Sequence, residues 1–259
     1  MSGFSVIYTH IDVFLLVLVR VSAFIAVSPV FGRKGIPATT KVGFSVILAS
    51  IIMLGFDTLP DLGGIEQTAY IMLVVKEALI GISVSFITVI FFSIFYAAGQ
   101  LADMQMGFSV GGIYDVQMQM EVPLVGNFLY AMGFLTFIVL NGVPKLVFLI
   151  YSMYDSIPIT GGSFNETCYE VFYNAFSFTY AYAVKLILPL ILLMLVTEFL
   201  LGVIIKFMPQ MNVFVIGIPV KIGMSLLLLN FLIGPAFQFL DVYFNDMFES
   251  AMMLIRSMG

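Results

Sequence analysis

Charge is scarce in this sequence. Lysine, arginine, aspartate and glutamate make up 10 % of its 259 residues, where soluble domains carry about 25 %. Cysteine and histidine are nearly absent, with one of each. A lone Cys168 excludes an intrachain disulfide. A lone His10 reads as an interfacial residue and leaves no zinc cluster to build. Gly107-Phe108-Ser109-Val110-Gly111 fits the G-x-S-x-G pattern of a hydrolase nucleophile. That chemistry needs a histidine downstream and a strand upstream, and the sequence offers neither. No Walker loop is present. The chain therefore reads as a non-enzyme, with no catalytic, cofactor-binding or metal residues. Its net charge is −5 and its acids lie in short connecting segments, so no basic surface invites nucleic acid.

Apolar residues are abundant instead, at 61 %. They come in continuous runs, whereas the strands of a membrane barrel alternate over about 10 residues. The fold class expected is all-α, an integral membrane helical protein with long kinked helical hairpins. At about 20 residues per span the length admits roughly five to seven crossings. The first residues have no basic n-region and no small-residue cleavage site, so the first apolar run is expected to stay as a membrane helix.

That run extends from about Ile11 to Val27 and stops at Ser28-Pro29, since proline disfavours helix in the residue before it. A loop with Arg33, Lys34, Pro37 and Lys41 follows, then a second run from Val42 to Phe56 and an acidic turn from Asp57 to Glu66. Thr68 to Leu101 has no proline and would measure roughly 50 Å as a helix. It must tilt, bend near Gly81 or project beyond the lipid. Leu124 to Leu140 is broken at Asn141-Gly142-Val143-Pro144 and resumes from Leu146 to Met153. After a second acidic loop, Phe172 to Met208 is overlong and expected to kink at Pro189. Val213 to Leu240 is the last long run, ahead of an amphipathic tail from Asp241.

Six charges sit within or against these runs: Arg20, Lys76, Glu77, Lys185, Glu198 and Lys221. Each would cost about 2.5–3.5 kcal/mol at the centre of a lipid-facing helix. Six in so small a chain imply that many helix faces meet protein or water, and hence an obligate complex. Interhelix pairing and direct participation in conduction are both open for them. The basic loop Arg33/Lys34/Lys41 marks the cytoplasmic side.

The stretch from Gly99 to Pro123 breaks every pattern around it. Gly107, Gly111 and Gly112 stop helix, and methionine alternates with glutamine in Met104-Gln105-Met106 and Met118-Gln119-Met120. Methionine is long, unbranched and adaptable, so a surface lined with it can close around a gap and re-form after being pushed apart. The segment reads as a deformable plug held by its flanking helices. Its candidate residues are Met106, Gly107, Phe108, Val110, Gly111, Gly112, Ile113, Tyr114, Met118 and Met120.

Gly99-Gln100-Leu101-Ala102-Asp103-Met104-Gln105-Met106-Gly107-Phe108, Pro123 and Asn141-Gly142 resemble the FliR family of flagellar biosynthetic proteins. So do Ser22-Ala23-Phe24 with Pro29, Phe31 and Pro37, and Pro209-Gln210-Met211-Asn212-Val213-Phe214 followed by Gly217-Ile218-Pro219-Val220-Lys221. The resemblance runs over essentially the whole chain. It implies a core subunit of the type III secretion export gate, one copy joining FliP and FliQ in a protein-conducting channel, with FlhB and FlhA nearby. Unfolded flagellar export substrates would pass through it. A FliP-like part of about residues 1–185, carrying the plug loop 106–120, would be fused to a FliQ-like hairpin of about residues 186–259. The implied location is the bacterial inner membrane, multi-pass, in the flagellar basal body, in contact with lipid and projecting toward the periplasm. The alternative is a secondary transporter using Lys76, Glu77, Lys185 and Glu198. That class shows inverted repeats, and no convincing internal repeat is visible here.

Overall fold

The computed structural model describes residues 10–56, 59, 60, 62, 65–108, 124–208, 210 and 213–259. Among them lie eight helices: α1 (Ile11–Val27), α2 (Ala38–Leu54), α3 (Gln67–Phe92), α4 (Ile94–Met106), α5 (Leu124–Val139), α6 (Gly142–Ser156), α7 (Glu166–Phe207) and α8 (Val213–Met258). No strand occurs among the described residues. The chain is an all-α integral membrane protein.

The helix limits follow local chemistry. α1 ends where Ser28 precedes Pro29. Pro144 sits in the first turn of α6, where a missing N–H goes unnoticed. Asn141 ahead of it takes the left-handed conformation (φ 57°) and separates α5 from α6. Some buried hydroxyls are satisfied one turn back, as when Ser152 donates to the Phe148 carbonyl at 2.9 Å and Thr197 to that of Leu193 at 2.8 Å, and others across helices, as when Ser85 donates to the Phe24 carbonyl at 2.8 Å. Such self-sufficiency suits a chain that leaves little water to bond with.

Two expectations change. Among the described residues, three helical stretches are long and apolar enough to cross a membrane, or up to four if α5 and α6 count as one span, fewer than the five to seven crossings the length admits. α2 has 17 residues, about 26 Å at about 1.5 Å per residue, against a bilayer core of about 30 Å. The surplus is in the 40-residue stretch Gln67–Met106 and in α7 and α8, of 42 and 46 residues, each about twice that core in length. The amphipathic tail is simply the continuation of α8. Second, of the three ways open to the overlong run the bend near Gly81 is not the one taken: α3 continues through Gly81 and the interruption before α4 falls at Ser93. Gly81 lies inside α3, where a Cβ would overlap the Arg20 carbonyl oxygen, so it permits close packing on α1.

The chain divides into two compact units. One comprises Met1–Phe91, Asn141–Ala175 and Asn245–Gly259, the other Phe92–Leu140 and Phe176–Phe244. In the first, α1 buries Val13, Leu16, Val17, Arg20, Val21 and Phe24, the spacing of one helix face, and packs on α2. In the second, α4 packs on α5. Phe137 meets Phe92 and Phe244 edge-on at 5.3 and 5.0 Å between ring centroids, a favoured aromatic geometry.

Candidate functional site

The helix carrying the start of the glycine- and methionine-rich segment ends in a defined way. Gly107 turns left-handed (φ 85°), its N–H reaches the Met104 carbonyl at 3.4 Å, and the Phe108 N–H reaches that of Asp103 at 3.1 Å. This pair of bonds is the Schellman stop, and glycine suits it because the left-handed region penalises a Cβ. The helix that resumes the chain starts beside the one that ended. Asp103, only 6 % exposed, accepts the Val125 N–H at 3.2 Å with Oδ1. A carboxylate there caps α5 and complements the positive end of its dipole. The second oxygen, Oδ2, is buried with no hydrogen-bond partner.

Two glycines make this approach possible. A Cβ on Gly99 would overlap Gly126 Cα and N, and a Cβ on Gly133 would overlap the Phe95 ring. α4 and α5 are therefore in backbone contact, the small-residue packing that membrane helices favour. The segment from 109 to 123 leaves and re-enters at this hairpin. Phe108 and Leu124, at its two roots, line a groove of 310 Å³ with Val125, Phe128, Leu226 and Asn230. Of the plug candidates, Met106 is fully buried and Gly107 and Phe108 partly so. Val110, Gly111, Gly112, Ile113, Tyr114, Met118 and Met120 lie outside the described residues.

The capping role of Asp103 makes a prediction with a change of degree built in. Asp103→Ala removes the acceptor and should destabilise the purified protein by about 1 kcal/mol. Asp103→Asn keeps an acceptor and removes a buried charge, so its thermal midpoint should stay at or above that of wild type.

The six intramembrane charges divide into groups. Arg20 and Glu77 are both buried and form an ion pair from Arg20 Nε to Glu77 Oε2. Arg20 Nη1 also donates to the carbonyls of Ile157 (2.9 Å) and Met153 (3.3 Å), Nη2 to that of Pro158 (3.4 Å), and its guanidinium lies 4.5 Å from the Tyr154 ring centroid. Glu77 Oε1 accepts the Thr160 N–H at 3.0 Å, and Lys76 Nζ donates to the Thr160 carbonyl at 3.2 Å. Thr160 holds a left-handed backbone (φ 73°) with both its amide groups bonded to this lysine–glutamate step. Charges from α1 and α3 thus pin the loop between α6 and α7.

Glu198 and Lys221 pair across α7 and α8 at 2.6 Å, with side-chain exposures of 49 % and 20 %. Lys185 is exposed, 4.7 Å from the Tyr182 ring centroid. It borders a largely apolar cleft of 140 Å³ lined also by Pro189 and Pro235.

Asp103, Gly126, Gly133, Tyr154 and Thr160 were not among the candidates read from the sequence. Gly126 and Gly133, seven apart in an apolar run, share one helix face, a signal that could have marked the contact. Asp103 carries no such signal.

Comparison with known proteins follows the same lines. The family described as "Bacterial export proteins, family 1" matches residues 11–247. The flagellar biosynthetic protein FliR of Bacillus subtilis (strain 168) is 30 % identical over 249 residues, 95 % of each chain. FliR of Escherichia coli (strain K12) is 26 % identical, covering 90 % of this chain and 88 % of that one. The Yop proteins translocation protein T of Yersinia pestis is 26 % identical, covering 71 % and 72 %. A family match over residues 11–247 and a relative 30 % identical over 95 % of each chain leave one reading: the chain belongs to family 1 of the bacterial export proteins, the family of FliR.

Proposed function

We propose that the chain is a core subunit of the flagellar type III export gate. With FliP and FliQ it forms a gated protein-conducting channel, and its own segment 106–120 seals the entry. The observation that carries this reading is the α4–α5 hairpin. Backbone contact at Gly99 and Gly126 and the Asp103 cap give the glycine- and methionine-rich segment two fixed roots. A seal must yield to an unfolded chain and then re-form. A rigid base with an adaptable tip meets that requirement.

The need for partners is supported by exposure. The most apolar windows of α7 and α8 are only 22 % and 11 % buried within the chain. These two helices carry Lys185, Glu198 and Lys221, which a lipid-facing helix would not favour. These three, with Lys76, are proposed as contacts to neighbouring subunits. The FliQ-like hairpin then corresponds to about residues 186–259 and the FliP-like part to about 1–185. FlhB and FlhA lie nearby, unfolded flagellar proteins are the cargo, and the site of action is the inner membrane at the basal body. No catalytic step is assigned to the chain.

Co-expression tests it. A tagged chain should purify with FliP and FliQ as one species and aggregate when expressed alone. A monodisperse single chain that binds a small solute would instead favour the secondary transporter. Lys221→Glu should sharply lower the yield of the assembly, well beyond the loss of under about 1 kcal/mol expected from breaking its partly exposed pair with Glu198. If Glu198→Lys combined with Lys221→Glu restores full yield, the pair acts within the chain and not toward a neighbour.

A further inference from the structure

α2 has two unlike faces. Leu48, Ala49 and Ile52 pack inward. On the other side Val42 (62 % exposed), Val46, Ile47 (58 %), Ile51 (59 %) and Leu54 are left open. Nothing polar on that side needs a partner, since Ser50 donates to its own helix at the Val46 carbonyl, 2.8 Å away. A protein neighbour is therefore not required to satisfy it.

Its charge is one-sided. From residue 13 to residue 56 the chain has no aspartate or glutamate, and its basic residues are Arg20, Arg33, Lys34 and Lys41. Arg20 is paired with Glu77 in the interior. The other three gather at the loop that leads into α2. Lys34 is exposed, and Lys41 holds that loop by donating to the Gly32 carbonyl at 2.8 Å. The opposite end of α2 carries no cation.

We infer that this face is covered by anionic phospholipid, with acyl chains along Val42 to Leu54 and the phosphate-bearing headgroup at Lys34 and Lys41. The apolar length of α2, about 26 Å, is slightly short of a bilayer core of about 30 Å. Long basic side chains at one end make up such a deficit by reaching into the headgroup layer. Each is worth roughly a five-fold preference for an anionic surface. The inference needs only that the chain is integral to the membrane, and it stands or falls independently of any role in conduction.

The chain has no tryptophan, so Ile47→Trp installs a single reporter on the face. The full-length variant, with its co-purifying subunits, is reconstituted into vesicles of phosphatidylglycerol and phosphatidylcholine in equal parts, with bromine on the acyl chains of one lipid or the other. Wild-type complex corrects for tryptophan in the other subunits. Brominated phosphatidylglycerol should quench at least about five-fold more effectively than brominated phosphatidylcholine. The preference should vanish when Arg33→Gln, Lys34→Gln and Lys41→Gln are added. Equal quenching by the two lipids without those changes would overturn the inference. Absence of quenching by either would overturn it too, by showing that a protein covers the face. Because the lipid comparison is made in a chain with its loop intact, failure of the triple variant to fold does not blunt it.

Discussion

Arg20→Ala is expected to lower the stability of the chain by about 3–5 kcal/mol, the penalty for stranding a buried partner. Both Arg20 and Glu77 are buried, so removing the guanidinium leaves the carboxylate without its counter-charge. The carbonyls of Ile157 and Pro158 lose a donor as well. Arg20→Lys should recover little. One ammonium cannot serve Glu77 and the carbonyls on the far side while lying over Tyr154, as a planar guanidinium does. Glu77→Gln should fall between, since an amide still accepts from Thr160 or Arg20. Thermal unfolding of the purified assembly, with the fraction of chain recovered in folded form, measures the order. Equal midpoints for wild type and Arg20→Ala would show that the network does not hold the loop after α6.

Gly99→Leu should have an effect at least as large, for a steric reason. The groups in the way belong to the Gly126 backbone, which cannot rotate aside as a side chain can. Overpacked cores lose about 1–3 kcal/mol when neighbours can adjust, and more when they cannot. α4 and α5 must separate, which also pulls the α5 N-terminus away from Asp103. Gly133→Ala provides the comparison. Its obstacle is the Phe95 ring, a side chain with other rotamers, so it should stay within about 1–3 kcal/mol. If Gly99→Leu assembled normally and was no less stable than Gly133→Ala, the backbone contact would not be what sets the hairpin.

The helices were legible because apolar runs end where proline, glycine and acids end them. α1 coincides with its run, and α5 and α6 divide at Asn141 as the motif there predicts. Less legible were the features that depend on what lies across a helix. Gly81 looks like a hinge in sequence but is a spacer, because Arg20 lies 61 residues earlier in the chain and against it in space. The charge on Arg20 and Glu77 announced burial, yet nothing in the sequence names the loop carbonyls and the Thr160 amide that complete the network. Asp103 reads as one more acid in a polar break. Its role appears only once Leu124 is known to start a helix at its side.

The proposed seal is tested most directly by conductance. Deleting Gly107 to Gln117 removes most of the glycine- and methionine-rich segment and leaves Asp103, Gly99 and Gly126 in place. Assemblies of the shortened chain with FliP and FliQ, purified intact and placed in planar bilayers, should pass ions continuously where wild-type assemblies stay closed. A shortened assembly as tight as the wild type would contradict the account.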